Sequence, residues 1–447
     1  MMTFYNLYGV TGNPILHSRS PYLFSKMFDE YSFLEGHYMR VATESPEQII
    51  ELIKTLGMKG MNITSPFKQS IIPFLDDLNN DAKLIGAVNT VKLEDGKLIG
   101  YNTDYLAVSK LVKRNYNNVT DKKCLVIGAG GAARAAVYAM VKDTYEVTVI
   151  NRTDEKANAI AEQFKCNQIN WSYLENAVRN NQLIINTTPF KGIIRYLSSD
   201  KLLINAVYDR GTITEFLCKL IQGDNWLVEQ AYSAFKIFTG FNPKRNLSVP
   251  LYDLDEDLYD KGYWEYFRKM KDNISLIGFI GSGKTAIGMA LAEKLNWDFV
   301  DTDDLIETQE NMTIQEIFDN KGEEYFRQIE IDILKSLSDA KKTVISTGGG
   351  IIFEDENREL LKKISNVYWL FSPLEKCIDR IQDRNRPPLD NKFHEKIFTL
   401  DKAELLFNMR VPYYCDVAEC LFYNNSSIKK IVKKIYEEDN KCFGNRR

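Results

Sequence analysis

Residues 278–285 read GFIGSGKT, a full match to G-x-x-x-x-G-K-[ST], with the apolar run NISLIGF (273–279) leading in and helix-forming TAIGMALAEKL (285–295) following. No other feature restricts the fold so strongly. Such a loop needs a strand to enter, glycines that let consecutive backbone N–H groups face phosphate, and a helix whose N-terminal dipole favours the anion. Lys284 adds a point charge and Thr285 a hydroxyl able to ligate Mg²⁺, while Gly281, Ser282, Gly283 and Ala286 complete a cradle for the phosphates of a nucleotide. The loop starts more than halfway along a chain of 447 residues, so a second body of comparable size precedes it. At about 150 residues per domain, the length allows about three compact units.

That first body contains its own glycine turn. KKCLVIGAGGAARAAVYAM (122–140) reads as strand, turn and helix, and Gly128, Gly130, Gly131 and Ala132 lie in a G-x-G-x-x-A pattern. A second strand, YEVTVINRT (145–153), ends with Asn151, Arg152 and Thr153. An acid about twenty residues after the turn would bind the ribose hydroxyls of NAD; Asn and Arg there suit a 2′-phosphate instead, hence NADP(H). LIINTTP (183–189) and LLINAVYD (202–209) read as further strands of a parallel sheet with crossover helices. Three polar clusters precede this region: HSRSP with Ser18 and Ser20, NITSPFK with Asn62, Thr64 and Lys68, and NTD with Asp104.

Composition excludes other classes. With 44% hydrophobic and 26% charged residues the chain is ordinary globular material. A net charge of −4 gives no general attraction to nucleic acid. The seven cysteines include no CxxC pair, so neither a disulfide framework nor a zinc site is indicated. The N-terminus lacks a basic region followed by an apolar run, and no apolar stretch approaches the ~20 residues that span a bilayer. A reduced, soluble, cytoplasmic protein without membrane or nucleic-acid partners is expected. PKRNLSVPLYDLDEDLYD (243–260), with two prolines and five acids, reads as an exposed tether, and WEYFRKM (264–270) as a short helix or part of that tether.

Beyond the phosphate loop, FVDTDDLIE (299–307) sets Asp301 and Asp303 at the end of a strand, where one carboxylate can serve Mg²⁺ and the other an acceptor hydroxyl. GEEYFRQIE carries Arg327 on a helix, VISTGGG ends in Gly348, Gly349 and Gly350, RNRPPL offers Arg386 in a proline-stiffened loop, and RVPYY carries Arg410. In this order the pieces resemble shikimate kinase over residues 274–437. The resemblance implies that Lys284, Thr285 and Asp301 serve phosphate and metal, and that Asp303 engages the ring hydroxyls and the attacking oxygen. It also implies that Arg327 and Arg410 hold the shikimate carboxylate, that Gly348–Gly350 lie along the ring and that Arg386 is a lid arginine. Arg380 is the nearest candidate for the adenine side.

The first body resembles shikimate dehydrogenase through GNPxxHSxSP, N-x-T-x-P-x-K, AVNT (87–90), GxNTD (100–104), GAGGAxR, NRT, NTTP and QAxxxF (230–235), in that order over residues 8–240. By that resemblance Ser18 and Ser20 bind the substrate carboxylate. Asn62, Thr64, Asn89, Asp104, Tyr208 and Gln230 surround the ring, and Lys68 is the main catalytic group, working with Asp104. Ala107 and Asn225 stand where the family commonly has glycine. The expected fold is α/β throughout. A substrate-binding domain (1–104, with a return segment about 230–245) is followed by a Rossmann NADP-binding domain (105–229), a linker (246–273) and a P-loop kinase domain with a parallel sheet (274–447). The expected function is reduction of 3-dehydroshikimate to shikimate with NADPH, then phosphorylation of shikimate by ATP. The alternative is a quinate/shikimate dehydrogenase joined to another small-molecule kinase; Ser18 and the NADP-like strand end argue against quinate.

Overall fold

The computed structural model describes residues 6–31, 36–116, 122–206, 218–243, 271–382 and 399–443. Tyr208, Arg386 and nearly all of the expected linker lie outside these residues. Along the chain the strands are β1 (Asn6–Gly12), β2 (Gly36–Ala42), β3 (Gly60–Ile63), β4 (Asp77–Leu78), β5 (Thr90–Glu94), β6 (Lys97–Tyr101), β7 (Lys123–Ile127), β8 (Glu146–Ile150), β9 (Asn167–Ile169), β10 (Leu183–Asn186), β11 (Leu202–Asn205), β12 (Lys219–Ile221), β13 (Ile274–Ile277), β14 (Asp298–Asp301), β15 (Thr343–Ser346), β16 (Asn366–Phe371) and β17 (Cys420–Tyr423). Packing gathers the described residues into two compact units. One draws on Met1–Pro21, Glu35–Glu44 and Tyr252–Arg447, the other on Tyr22–Leu34 and Ser45–Leu251.

The second of these units holds a parallel sheet in the order β12-β11-β10-β7-β8-β9. Strands β7, beyond its exposed first residue Lys123, and β10 are buried on both faces, which is why they read as continuous apolar runs rather than as alternation. Helix Gly131–Lys142 presents Ala133, Ala135, Ala136, Ala139 and Met140 to the core formed with Val126, Val149 and Ile185. Small residues there let the helix lie close on the sheet. Strands β3, β5 and β6 form an antiparallel group, with β4 parallel to β6 at its edge.

In the other unit, β14-β15-β13-β16-β17 follows the parallel order expected of a phosphate-loop domain. β17 then pairs in parallel with β2, and β2 with β1. One apolar cluster runs through both parts, joining Val10, Ile15, Leu16 and Ala42 to Leu276, Tyr368, Phe422, Ile431 and Ile435. Residues 6–18 and 36–42, grouped by sequence with the substrate-binding segment, therefore pack with the phosphate-loop strands. Among the described residues no helix is long and apolar enough to cross a membrane.

Candidate active sites

The phosphate loop bends between β13 and helix Lys284–Leu295. Gly281 has φ +76°, and a Cβ there would lie 2.4 Å from the Cys377 carbonyl oxygen. Only glycine fits that approach. The helix begins at Gly283 without a side-chain cap, so its first N–H groups are left to an anion. Lys284 is buried and donates to the carbonyl oxygens of Gly278 (2.9 Å) and Phe279 (3.1 Å). Burial lowers its pKa to about 8 against the opposing pull of Asp303 and Asp301, so it stays protonated at neutral pH. Ser282 turns its hydroxyl inward, while its carbonyl accepts from Asn424 Nδ2 at 2.8 Å. Arg380 Nη1 donates to the Gly281 carbonyl at 3.0 Å. Asn424 left no motif: it is a single residue after a strand, recognisable only once the fold places it.

A cavity of about 490 Å³ opens from this loop, and its walls include Gly281, Gly283, Lys284, Thr285 and Ala286 together with Asp301, Asp303, Arg327, Gly348–Gly350, Arg380 and Arg410. Thr285 Oγ1 lies 2.9 Å from Asp301 Oδ2, and Asp301 Oδ1 caps the next helix by accepting from the Asp303 N–H at 3.1 Å. The three consecutive glycines abut charged side chains, Gly348 two of them, since a Cβ there would also stand 3.3 Å from Glu330 Oε1. A Cβ at Gly348 would stand 2.5 Å from Asp303 Oδ1, at Gly349 3.3 Å from Arg410 Nη1, and at Gly350 2.7 Å from Arg327 Nη1. Side chains on this turn would push the acid and both arginines out of place.

Arg327 Nη1 donates to Glu330 Oε2 at 2.6 Å and its Nη2 to Glu323 Oε1 at 3.1 Å. Arg410 is buried, with its guanidinium over the rings of Phe353 (5.3 Å) and Phe279 (5.5 Å). Such stacking holds the plane of an arginine without occupying its N–H groups. Glu330, a cavity residue that sequence reasoning passed over, is 1% exposed. Burial raises its pKa to about 7 against the pull of Arg327. It sits one helical turn after Arg327 within the same quoted stretch, so its periodicity was the available signal.

In the other unit, Lys68 Nζ meets Asp104 Oδ2 at 2.5 Å, and Trp226 Nε1 donates to Asp104 Oδ1 at 3.0 Å. Asp104 and Trp226 are both buried. The lysine stem rests on the dinucleotide helix: a Cβ at Gly131 would lie 2.9 Å from Lys68 Cβ. Trp226 was not foreseen; only its neighbour Asn225 stood out in the sequence. Asn89 donates to Gln230 Oε1 (2.8 Å) and Thr103 Oγ1 (3.0 Å), and accepts from the Thr103 N–H (2.8 Å) and Thr90 Oγ1 (3.0 Å). Asn62 Nδ2 donates to the Asn89 carbonyl at 3.2 Å and to Thr90 Oγ1 at 3.0 Å. Asn89 thus acts chiefly as the hub that orients Asn62, Thr103 and Gln230. Thr64 lies half-buried in the same loop, and its carbonyl accepts from the Phe67 N–H at 3.0 Å. Ser18 and Ser20 are buried in the first-described unit, with the Ser20 N–H 3.4 Å from Ser18 Oγ.

Helix Gly131–Lys142 begins at Gly130, again without a side-chain cap, and Ala132 lies in its first turn. The Gly128 N–H donates to the Ile150 carbonyl at 2.9 Å, which sets the glycine turn beside Asn151. Asn151 Nδ2 donates to the Thr153 carbonyl at 3.0 Å, and Arg152 and Thr153 are exposed at the end of β8.

Fold and geometry together define an α/β chain with a dinucleotide-type glycine turn beside a lysine–aspartate pair, and a phosphate loop opening on an acid and two arginines. Family models match residues 10–91 (shikimate dehydrogenase substrate binding domain), 110–199 (shikimate / quinate 5-dehydrogenase) and 280–440 (shikimate kinase). The shikimate dehydrogenase (NADP(+)) of Aquifex aeolicus is 39% identical over 248 residues, covering 52% of this chain and 91% of that protein. That of Staphylococcus epidermidis is 35% identical over 257 residues, covering 53% and 93%. A crystal structure of the Aquifex aeolicus enzyme aligns with TM-score 0.50 and 36% identity, covering 54% of this chain and 95% of that one. The chain belongs to the shikimate dehydrogenase family and carries a shikimate kinase domain in the same polypeptide.

Proposed function

We propose that this chain catalyses two successive reactions on one small acid: NADPH-dependent reduction of 3-dehydroshikimate to shikimate, then transfer of the ATP γ-phosphoryl group to shikimate. The observation that carries the reading is the cavity in which a phosphate loop, Asp303 and the guanidinium groups of Arg327 and Arg410 line one space. Two planar cations opposite a phosphate loop suit an acceptor bearing a carboxylate, and Asp303 can accept the proton of its attacking hydroxyl. In that reading Gly348–Gly350 flank the ring. Arg380 lies on the nucleotide side.

Thr285 and Asp301 supply a hydroxyl and a carboxylate oxygen 2.9 Å apart. That donor pair fits Mg²⁺, whose remaining positions are ordinarily filled by phosphate oxygens and water. When bound, the ion would offset the charge developing on the phosphoryl oxygens.

For the reduction, NADPH supplies the hydride to the carbonyl carbon. Lys68, held by Asp104, meets the oxygen and provides the proton or stabilises the oxyanion. Trp226 fixes the second Asp104 oxygen, so the carboxylate keeps one face for the lysine. Ser18 and Ser20 take the substrate carboxylate; Asn62, Thr64 and Gln230 take ring hydroxyls, with Asn89 ordering them. Gly128, Gly130, Gly131 and Ala132 face the pyrophosphate, and Asn151, Arg152 and Thr153 the 2′-phosphate. The proposed division of labour is a substrate-binding segment (1–104 and about 230–245), a dinucleotide segment (105–229), a connector (246–273) and a kinase segment (274–447).

The direct test is one vessel containing protein, 3-dehydroshikimate, NADPH and MgATP, followed by mass spectrometry. Shikimate 3-phosphate should appear only when both cosubstrates are present; its absence would refute the coupled reading. Oxidation assays with shikimate and quinate side by side should favour shikimate.

Arg152→Ala should weaken NADPH roughly 10–100-fold, the scale of a lost charge-assisted contact to phosphate. NADH should change little, because it lacks the 2′-phosphate. Fluorescence titration with both cofactors checks this, and equal weakening would remove Arg152 from the phosphate site.

Arg327→Ala and Arg410→Ala should each raise the kinase KM for shikimate by about tenfold or more, since half-pairing a carboxylate in a closed site is costly. The KM for ATP should stay within about twofold. A dominant change in ATP affinity would move these arginines to the nucleotide side.

A further inference from the structure

We infer that Glu438, on the last helix of the kinase segment, is a positioning residue for the dehydrogenase serines Ser18 and Ser20. The inference rests on the proposed role of those serines in holding the substrate carboxylate. Between β1 and Ser20 the chain turns through residues 13–18, and its buried N–H groups must find acceptors outside a strand ladder. Glu438 supplies one: its Oε2 accepts from the N–H of Ile15 at 2.8 Å and of Leu16 at 3.2 Å, across more than 420 residues of sequence. The Ile15 carbonyl in turn accepts from the Ser18 N–H at 2.9 Å, so the carboxylate fixes the peptide that fixes the first serine. Ile15 is fully buried in the cluster that includes Ile431 and Ile435 of the same helix as Glu438.

The arrangement is built rather than incidental. Glu438 is 1% exposed and Lys434 6%, with Lys434 Nζ 3.3 Å from Glu438 Oε1 and donating to the Thr43 carbonyl at 3.1 Å. A buried carboxylate persists only when paired and hydrogen-bonded, and this one has a cation on one oxygen and two amides on the other. A second tether acts on the serine itself. Arg40 Nε donates to the Ser18 carbonyl at 2.9 Å, and Arg40 Nη1 to the Glu419 carbonyl at 3.2 Å, immediately before β17. Both supports of the serine turn therefore end on the kinase segment. A hydroxyl that must meet a carboxylate needs its backbone held to a fraction of an ångström. In this chain part of that restraint comes from residues 419–438.

The test uses the full chain and measures both activities in one preparation. Glu438→Ala should raise the dehydrogenase KM for 3-dehydroshikimate about tenfold, the scale of losing a buried acceptor. The dehydrogenase kcat, the KM for NADPH and the kinase parameters should stay within about twofold. Glu438→Gln, which keeps an acceptor oxygen, should restore most of the KM. Glu438→Asp keeps the charge beside Lys434 but withdraws the oxygen; it should raise KM several-fold, and it serves if the alanine variant does not fold. Ser18→Ala is measured alongside. If it raises KM while Glu438→Ala and Glu438→Asp leave it unchanged, the positioning role is wrong and the serine role stands. If Ser18→Ala has no effect, the serine role fails and takes this inference with it. A parallel fall of both activities in the Glu438 variants would show a residue that merely holds the fold, and would also overturn the proposal.

Discussion

Lys284→Met is expected to lower the kinase kcat by ~10²–10³-fold, the loss seen when one preorganised donor to a developing negative charge is removed. The side chain is buried at the floor of the phosphate loop, with two loop carbonyls as its partners, and Asp301 and Asp303 stand close enough to favour its charge. Methionine fills the stem's space but brings no charge to the transferring phosphoryl group. Reduction of 3-dehydroshikimate should remain within about twofold in the same preparation. Stability supplies an independent control. The folded-state pKa of about 8 lies below the ordinary 10.5, so the unfolded chain binds the extra proton between these values. Wild type should therefore gain stability relative to the variant as pH rises through that window, and lose that advantage below it. Steady-state ADP release and thermal melts at pH 7 and 10 check both halves. A variant that phosphorylates shikimate at nearly the original rate would end the case for Lys284 as the phosphate lysine.

Much of the fold is legible in the sequence, because phosphate sites leave short, ordered motifs. GFIGSGKT, NTD, NRT and GGG each specify a backbone shape as well as a chemistry, and such patterns survive as text. The residues that were missed act singly from distant elements. Trp226 reaches Asp104 across 122 positions, and Asn424 reaches the phosphate loop across 142. Neither belongs to a spaced pattern, so only the fold could nominate them. Glu330 is different: it lies inside a quoted motif, but its burial depends on how helix Ile314–Ser336 packs. The join between residues 6–42 and the phosphate-loop strands is the least legible feature. Two full motif sets and an acidic, proline-bearing connector suggest enzymes that could be cut apart without loss. In the structure β17 pairs with β2, and the helix Ile428–Phe443 packs on residues 10–16. Strand pairing runs through backbone N–H and C=O groups that every residue except proline carries, so an edge-to-edge join writes almost nothing into the sequence. A chain severed in the connector should keep both activities only while the fragments remain associated.

Lys68→Ala is the counterpart on the dehydrogenase side, with an expected fall in kcat of at least ~10²-fold, the usual scale for an acid–base or oxyanion group. The lysine is held by Asp104 at 2.5 Å, and Asp104 is itself fixed by Trp226. Its stem lies against Gly131 at the start of the dinucleotide helix. That contact links the cationic head of Lys68 to the element expected to carry NADPH, so the ammonium and the hydride donor share a scaffold. Alanine removes the proton donor and leaves Asp104 buried without its cation. Lys68→Met separates the two effects from packing, because it restores the stem and not the charge; its kcat should stay as low as that of the alanine variant. The kinase kcat and both kinase KM values should remain near wild type, since the phosphate-loop cavity contains neither residue. The measurement is NADPH oxidation at saturating 3-dehydroshikimate, with NADPH affinity titrated separately. Should Lys68→Met turn over at nearly the native rate, the lysine is a structural partner of Asp104, and the proton must reach the substrate from another group.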